Sequence, residues 1–246
     1  MLKTEDLILT PENKDIRIWR YLDFSKYVSM LESKALFFSR ADRLGDEHEG
    51  ATTQLSRAIF HAQMTQMIEK KHVDEGLEQM EKMHLAIRKL VYINSWHMNN
   101  DENYAMWKIY SRGSNSIAIV SNYKKLRNCL ANSIHISAIR YIDYDNFVIP
   151  RSNYLAPYIY KRKQYAYEKE LRAFKTGPWP GHPMDLKEDE FPAGEEVIIG
   201  LEKLIEKVVV SPFADVWFAD LVKTLTGKYE FAFPVEYSSL KSKPIF

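Results

Sequence analysis

Hydrophobic and polar positions alternate along this chain in several short stretches and recur at helical spacing in others, the mixture expected of an α+β protein. Residues 16–21, Ile-Arg-Ile-Trp-Arg-Tyr, alternate as a strand, and Asp23-Phe24-Ser25 opens a helix whose apolar positions Tyr27, Val28 and Leu31 follow helical spacing. Residues 35–39 read as the next strand and residues 40–50 as a charge-dense loop. Residues 52–90 carry helical periodicity, with a weak point at 74–76 that divides them into two helices. A strand is predicted at 90–96, followed by a polar loop from His97 to Asn103 and a short segment at 104–110. Strands at 114–121 and 137–144 are joined by a helix over 122–130. A strand at 167–174 is followed by a proline-marked loop at 176–194 with an acidic run at 185–190. A strand at 206–210, a helix at 216–226 and a strand at 229–234 complete the pattern. The expectation is one α+β domain spanning residues 1–246. It would hold a mixed, mainly antiparallel split sheet with peripheral helices, and residues 52–90 as a helical insertion or lid.

Within this pattern Tyr167-Glu168-Lys169-Glu170-Leu171-Arg172 stands out. In a strand, period two places Glu168, Glu170 and Arg172 on one face and Lys169, Leu171 and Ala173 on the other. The charged face is either an exposed ladder whose ion pairs contribute little, or the wall of a polar cleft.

Composition narrows the choices. With 246 residues and 46% hydrophobic content the chain can bury a full core. Lys and Arg number 34 against 33 Asp and Glu, so a net charge of +1 supplies no long-range attraction to nucleic acid or acidic lipid. Any such binding needs a local patch, for which the tyrosine-rich basic stretch 153–165, with Lys161-Arg162-Lys163, is the candidate. A single cysteine, Cys129, excludes an intrachain disulfide framework and a multi-cysteine zinc site, and fits a reducing, cytoplasmic setting. No apolar run approaches the roughly 20 residues of a membrane span, and the N-terminus has no secretory pattern. The aromatic content of 13% places several rings beside charged residues, which suits amphipathic pockets.

Most familiar chemistries lack their motifs. The seven histidines form no HxxxH or HExxH pair. Asp42, Asp46 and Glu49 could ring a hard cation, but a solvated loop explains them equally, and no metal is expected. Neither GxxxxGK[ST] nor GxGxxG occurs, Cys129 sits in an apolar helical stretch as an inert thiol, and no GxSxG elbow supports a serine nucleophile. A metal-dependent nuclease ranks last, because its acidic residue and Glu-x-Lys arrangement have no anchor here.

Taken together, Arg20-Tyr21, Phe37-Phe38-Ser39, Asp46-x-x-Glu49-Gly50, Met106-Trp107-x-x-Tyr110, Tyr141 and Tyr167-Glu168-x-Glu170-x-Arg172 resemble an uncharacterised bacterial domain family over residues 19–225. That family's pattern is Lys/Arg-Tyr, Phe-Asn-Asp-Pro-Phe-Glu-Gly, Met-Trp-x-x-Tyr and Tyr-Glu-x-Glu-x-Arg. Here Gly45 replaces the Asn, Glu47-His48 replace Pro-Phe, residues 111–116 lack a His-Gly step, and Tyr165 stands where Trp is common. The order of elements also resembles the ADP-ribosyltransferase fold. That resemblance implies NAD as substrate, with Arg20 on a phosphate and Tyr104, Trp107 or Tyr110 stacked on nicotinamide. Glu170 would meet the ribose and the oxocarbenium-like charge, and Glu168 would orient the acceptor. Tyr21 and Arg172 belong to the same cofactor-binding set. The resulting expectation is an NAD-using transferase or glycohydrolase, such as an effector in phage defence or a toxin pair, acting on a protein or nucleic-acid acceptor. The alternative is a non-catalytic module that binds nucleic acid or protein through the 153–165 stretch.

Overall fold

A computed structural model of the chain describes residues 4–111, 113–151, 153–178, 191–242 and 244–245. In order, its elements are α1 (Thr4–Leu7), β1 (Arg17–Asp23), α2 (Phe24–Ser33), β2 (Ala35–Arg40), α3 (Gln54–Met67), α4 (Val73–Arg88), β3 (Val91–Met98), α5 (Tyr104–Tyr110), β4 (Ser116–Asn122) and α6 (Tyr123–Cys129). There follow β5 (His135–Ala138), β6 (Arg140–Ile142), β7 (Tyr160–Arg162), β8 (Glu170–Thr176), β9 (Gly194–Ile198), α7 (Leu201–Leu204), β10 (Lys207–Val210), α8 (Val216–Lys228) and β11 (Val235–Tyr237).

The sheet is mainly antiparallel and forks at β3. One edge of β3 pairs with β8, which continues to β5. The other edge is shared. β1 takes its end, at Ile18↔Met98 and Trp19↔His97, and β2 takes its beginning, at Ser39↔Ile93 and Arg40↔Tyr92. β1 leads on to β4, β10 and β11, whereas β2 leads to β9. Residues 94–96 form no register pair with β1 or β2, and side chains fill the gap: Asn94 Nδ2 and Arg20 Nη2 donate to the Phe37 carbonyl at 2.9 and 3.1 Å. Unpaired strand carbonyls would otherwise be costly there.

Alternation along the strands separates two unlike faces. On one, Ile18, Leu22, Tyr92, Trp96, Ile117, Ile119, Leu171 and Ala173 join α2 and α8 in a continuous apolar core. On the other lie two smaller cores. One gathers Trp19, Tyr21, Ala118 and Val120 under Met106 and Trp107 of α5, and the other gathers Val91, Ile93 and Phe174 under residues 139–160. Between them the same face carries Ser95 and His97 of β3, opposite Arg172 and Glu170 of β8. The polar band is thus walled by apolar packing on both sides.

Several expectations shift. The strand predicted at 167–174 begins only at Glu170, because residues 163–168 form a 3₁₀ turn and Lys169 adopts the left-handed region at φ 40°, ψ 52°. Glu168 is therefore off the strand ladder. The break between the two long helices falls at 68–72, where Ile68 turns extended, and Gly76 lies inside α4. A Cβ at Gly76 would meet only the mobile terminal methyl of Met64, and this glycine marks no turn. β3 runs through His97, so the polar loop starts later than its composition suggests. The stretch 137–144 divides between β5 and β6, which belong to different sheets. Residues 229–234 are not a strand: Glu230 takes φ 65°, Phe231 and Phe233 stack at 5.3 Å, and the strand is β11, parallel to β10. β9 emerges from the end of the predicted 176–194 loop, and the acidic run at 185–190 lies outside the described residues. No helix among the described residues is long and apolar enough to cross a membrane.

Candidate functional site

A cleft of about 820 Å³ opens where β1 and β2 part from β3. Arg20, Tyr21, His97, Tyr110, Glu168 and Glu170 all line it, as do Glu49, Lys161 and Arg172. Among the described residues, none from 52–90 does.

Its floor is an ion-pair network built on β8. Arg172 grips Glu170 with two bonds, Nε to Oε1 at 2.6 Å and Nη2 to Oε2 at 2.9 Å. The same guanidinium forks onto Glu49, Nη2 to Oε2 at 2.8 Å with a second bond from Nη1, and Nη1 also donates to the Tyr158 carbonyl at 3.0 Å. Lys161 of β7 bridges the two carboxylates of the motif, 2.5 Å from Glu168 Oε2 and 3.3 Å from Glu170 Oε2. Tyr110 of α5 donates to Glu168 Oε1 at 2.9 Å, and the Glu170 amide donates to Tyr141 Oη at 2.8 Å. Glu49, Lys161, Glu168, Glu170 and Arg172 are all buried, which removes the exposed-ladder alternative. Such pairs add little net stability over apolar packing, but breaking one leaves an uncompensated charge.

The environment drives the two carboxylates of the motif apart. Burial raises the Glu168 carboxyl, Lys161 opposes that and the Glu170 charge adds to it, and the outcome is a group held above the ordinary range. Burial also acts on Glu170, but the Arg172 and Lys161 charges, with hydrogen bonds from Arg172 and Ser95, outweigh it and bring this carboxyl down to about 2. Glu49 is raised by burial despite Arg172. Tyr110 is raised by burial and by the Glu168 charge, so it stays a donor. Two neighbouring carboxylates of opposite tendency can serve as an acid and a base. We expect side-chain carboxyl ¹³C titration to find Glu168 above and Glu170 below the ordinary carboxylate value, and the reverse order would remove this assignment.

At the fork, Arg20 is half-buried, lies 5.9 Å over the Trp96 ring, and leaves Nη1 without a partner among the described residues. Burial brings its guanidinium down to about 10, still charged at neutral pH. An uncompensated cation that lines a cleft can receive an anion there. Tyr21 lines the cleft beside it. Trp107 does not: it is fully buried, donates Nε1 to Glu102 at 2.7 Å, and stands edge-on to Tyr21 at 4.9 Å. Tyr104 lies off the cleft against Phe213.

Lys161 and His97 line the cleft but lie outside the candidate residues read from the sequence, and Glu49, read there only as part of a cation ring and a motif, lines it too. In sequence Lys161 reads as part of a basic patch, yet Lys161, Arg162 and Lys163 are each committed to a carboxylate: Lys161 as above, Arg162 to Asp46 at 3.1 Å and Lys163 to Asp143 at 2.8 Å. The acids of the 40–50 loop are likewise distributed, Asp42 to Arg40, Asp46 to Arg162 and Glu49 to Arg172. The signal for Glu49 is the glycine after it. Gly50 sits at φ +72°, and a Cβ there would overlap the Tyr158 ring, whose residue also supplies a carbonyl to Arg172. Gly50→Ala is expected to lower stability by about 2 kcal/mol or more in urea melts. A neutral result would mean that the loop carries Glu49 without this close packing.

No family model matches the chain, and neither does any curated protein. Among solved structures, Thermus sp. 2.9 DarT in complex with carba-NAD+ is similar over 94% of this chain and 98% of its own, at 11% identity and a TM-score of 0.41. That likeness is too loose to transfer a fold or a chemistry, and the site stands on its own geometry.

Proposed function

We propose that the cleft binds NAD and transfers its ADP-ribosyl group to an acceptor. The observation that carries this reading is the convergence, in one cleft, of an uncompensated arginine, aromatic rings and two carboxylates of opposite proton affinity. A volume of about 820 Å³ lies within the usual range for small-molecule sites, roughly 300–1,000 Å³. Arg20 takes the pyrophosphate by its free donor, and Tyr110 and Tyr21 offer rings to the nicotinamide end. Trp107 acts from behind by fixing Tyr21.

In this reaction the glycosidic bond breaks with its electron pair leaving on nicotinamide, and the sugar carbon becomes oxocarbenium-like. Glu170, held ionised by Arg172 and Lys161, faces that charge with a fixed negative one. Glu168, with its raised proton affinity, takes the proton of the acceptor as its lone pair closes on the sugar carbon, or that of water in a glycohydrolase. The Tyr110 hydroxyl and Lys161 ammonium keep the Glu168 carboxylate oriented.

The Arg20 role has its own check. In titration calorimetry Arg20→Gln is expected to weaken NAD by about ten- to a hundred-fold, since a charge-assisted bond to phosphate is lost. Equal affinity would place the phosphates elsewhere. The binding-module alternative is weakened by the internal pairing of Lys161, Arg162 and Lys163. Salt-sensitive binding of polyanions without any NAD binding would restore it.

A further inference from the structure

We propose that His97 is a ligand-binding residue of this cleft, whose Nε2 accepts a hydrogen bond from a hydroxyl or amide N–H of the bound nucleotide. The inference rests on the NAD reading and adds a residue that the sequence motifs do not contain.

His97 is 2% exposed in the middle of the polar band, across the β3–β8 ladder from Glu170 and across the β1 pair from Trp19. Its Nδ1 lies 2.5 Å from the backbone carbonyl of Glu168. A carbonyl can only accept, so Nδ1 carries the proton, and in the neutral ring the lone pair is on Nε2. Burial disfavours the imidazolium and the nearby Lys169 charge adds to that, against the pull of the Glu168 carbonyl. His97 lines the cleft, and its Nε2 is buried and has no partner among the described residues. The Tyr21 ring, 6.4 Å away and tilted, shields one side, and its hydroxyl is engaged by the Asn103 amide at 3.4 Å.

A buried acceptor without a donor is costly, and a ligand that supplies the donor recovers that cost. A lone pair repels a phosphate oxygen, so His97 selects a hydroxyl or carboxamide end. Arg20, by contrast, selects the anionic part. The two orphaned atoms give the nucleotide a direction, with its phosphates at the fork and its sugar and carboxamide beside Glu168. Because the other ring nitrogen is tied to the backbone of Glu168, the ligand contact and the carboxylate are held by one rigid connection.

The test uses the full chain with ¹⁵N-labelled histidine, NAD and ADP-ribose as probes, and a His97→Asn variant. The asparagine amide nitrogen can still donate to the Glu168 carbonyl but leaves no atom at the Nε2 position. The free protein should show His97 as the Nδ1–H tautomer, and saturation with either nucleotide should move its Nε2 resonance. The variant should melt within a few degrees of the unaltered chain and bind both nucleotides about ten-fold more weakly or worse. Nucleotide binding that leaves the Nε2 resonance and the variant's affinity unchanged overturns the role of His97 while leaving the NAD reading intact. If the variant does not fold, the Nε2 resonance of the unaltered chain decides alone. Absence of NAD and ADP-ribose binding by the unaltered chain overturns the NAD reading and the His97 role together.

Discussion

Arg172→Met is expected to lower stability by about 3–5 kcal/mol, more than any other single change in the cleft. The replacement keeps most of the side chain's bulk but strips Glu49 and Glu170 of the guanidinium that holds both, and Tyr158 of a donor to its carbonyl. The sign of the pH dependence follows. In the unaltered chain Glu170 has a depressed pKa, so its contribution is present above the unfolded carboxylate value and is lost as pH falls towards about 2. Without Arg172, only the Lys161 charge and the Ser95 hydrogen bond oppose burial, and the Glu170 carboxyl moves up from its depressed value. The variant should then favour the protonated carboxyl, and its deficit should shrink as pH is lowered through the carboxylate range. Urea melts at neutral and mildly acidic pH give both quantities. A deficit below about 1 kcal/mol would mean that the network is not integral to the folded state.

Glu170→Gln is expected to reduce the rate of NAD cleavage by about a hundred- to a thousand-fold while leaving NAD affinity within a few-fold. In the proposed reaction the carboxylate meets charge that exists only as the glycosidic bond opens, and the amide keeps its shape without the charge. Such a change lowers kcat and leaves binding alone. Glutamine also leaves Arg172 one counter-ion, Glu49, so the fold is retained with some loss of stability. A rise in KM with kcat unchanged would assign Glu170 to ground-state binding instead.

The sequence revealed the α+β class because short apolar stretches and helix-spaced stretches are both present, although the sheet is buried on both faces, with a main core on one and two smaller cores on the other. It also marked the cluster at Glu168, Glu170 and Arg172, because a two-residue period of charge is unusual beside apolar neighbours. What it concealed is non-local. Glu49 lies 123 positions from Arg172, and nothing near it announces that pairing except Gly50, whose left-handed backbone lets the loop close on Tyr158. Lys161 reads as one member of a basic run, because sequence cannot show carboxylates folding back onto it. His97 has loop-like neighbours, yet pairing with β8 carries β3 through it. Glu168 was placed on the strand because the pattern fits, but Lys169 turns left-handed and leaves Glu168 reaching the same cleft from a turn. Trp107 shows the converse: an aromatic motif suggested a stacking surface, and burial makes it a support for Tyr21.

The most direct test of the account is nicotinamide release from NAD, quantified by chromatography, for the purified chain and its Glu170→Gln variant in the presence of protein and nucleic-acid acceptors. Release by the unaltered chain that is lost in the variant is the expected result. Absence of both turnover and NAD binding under all of these conditions would contradict the NAD reading and leave the carboxylate network as structure alone.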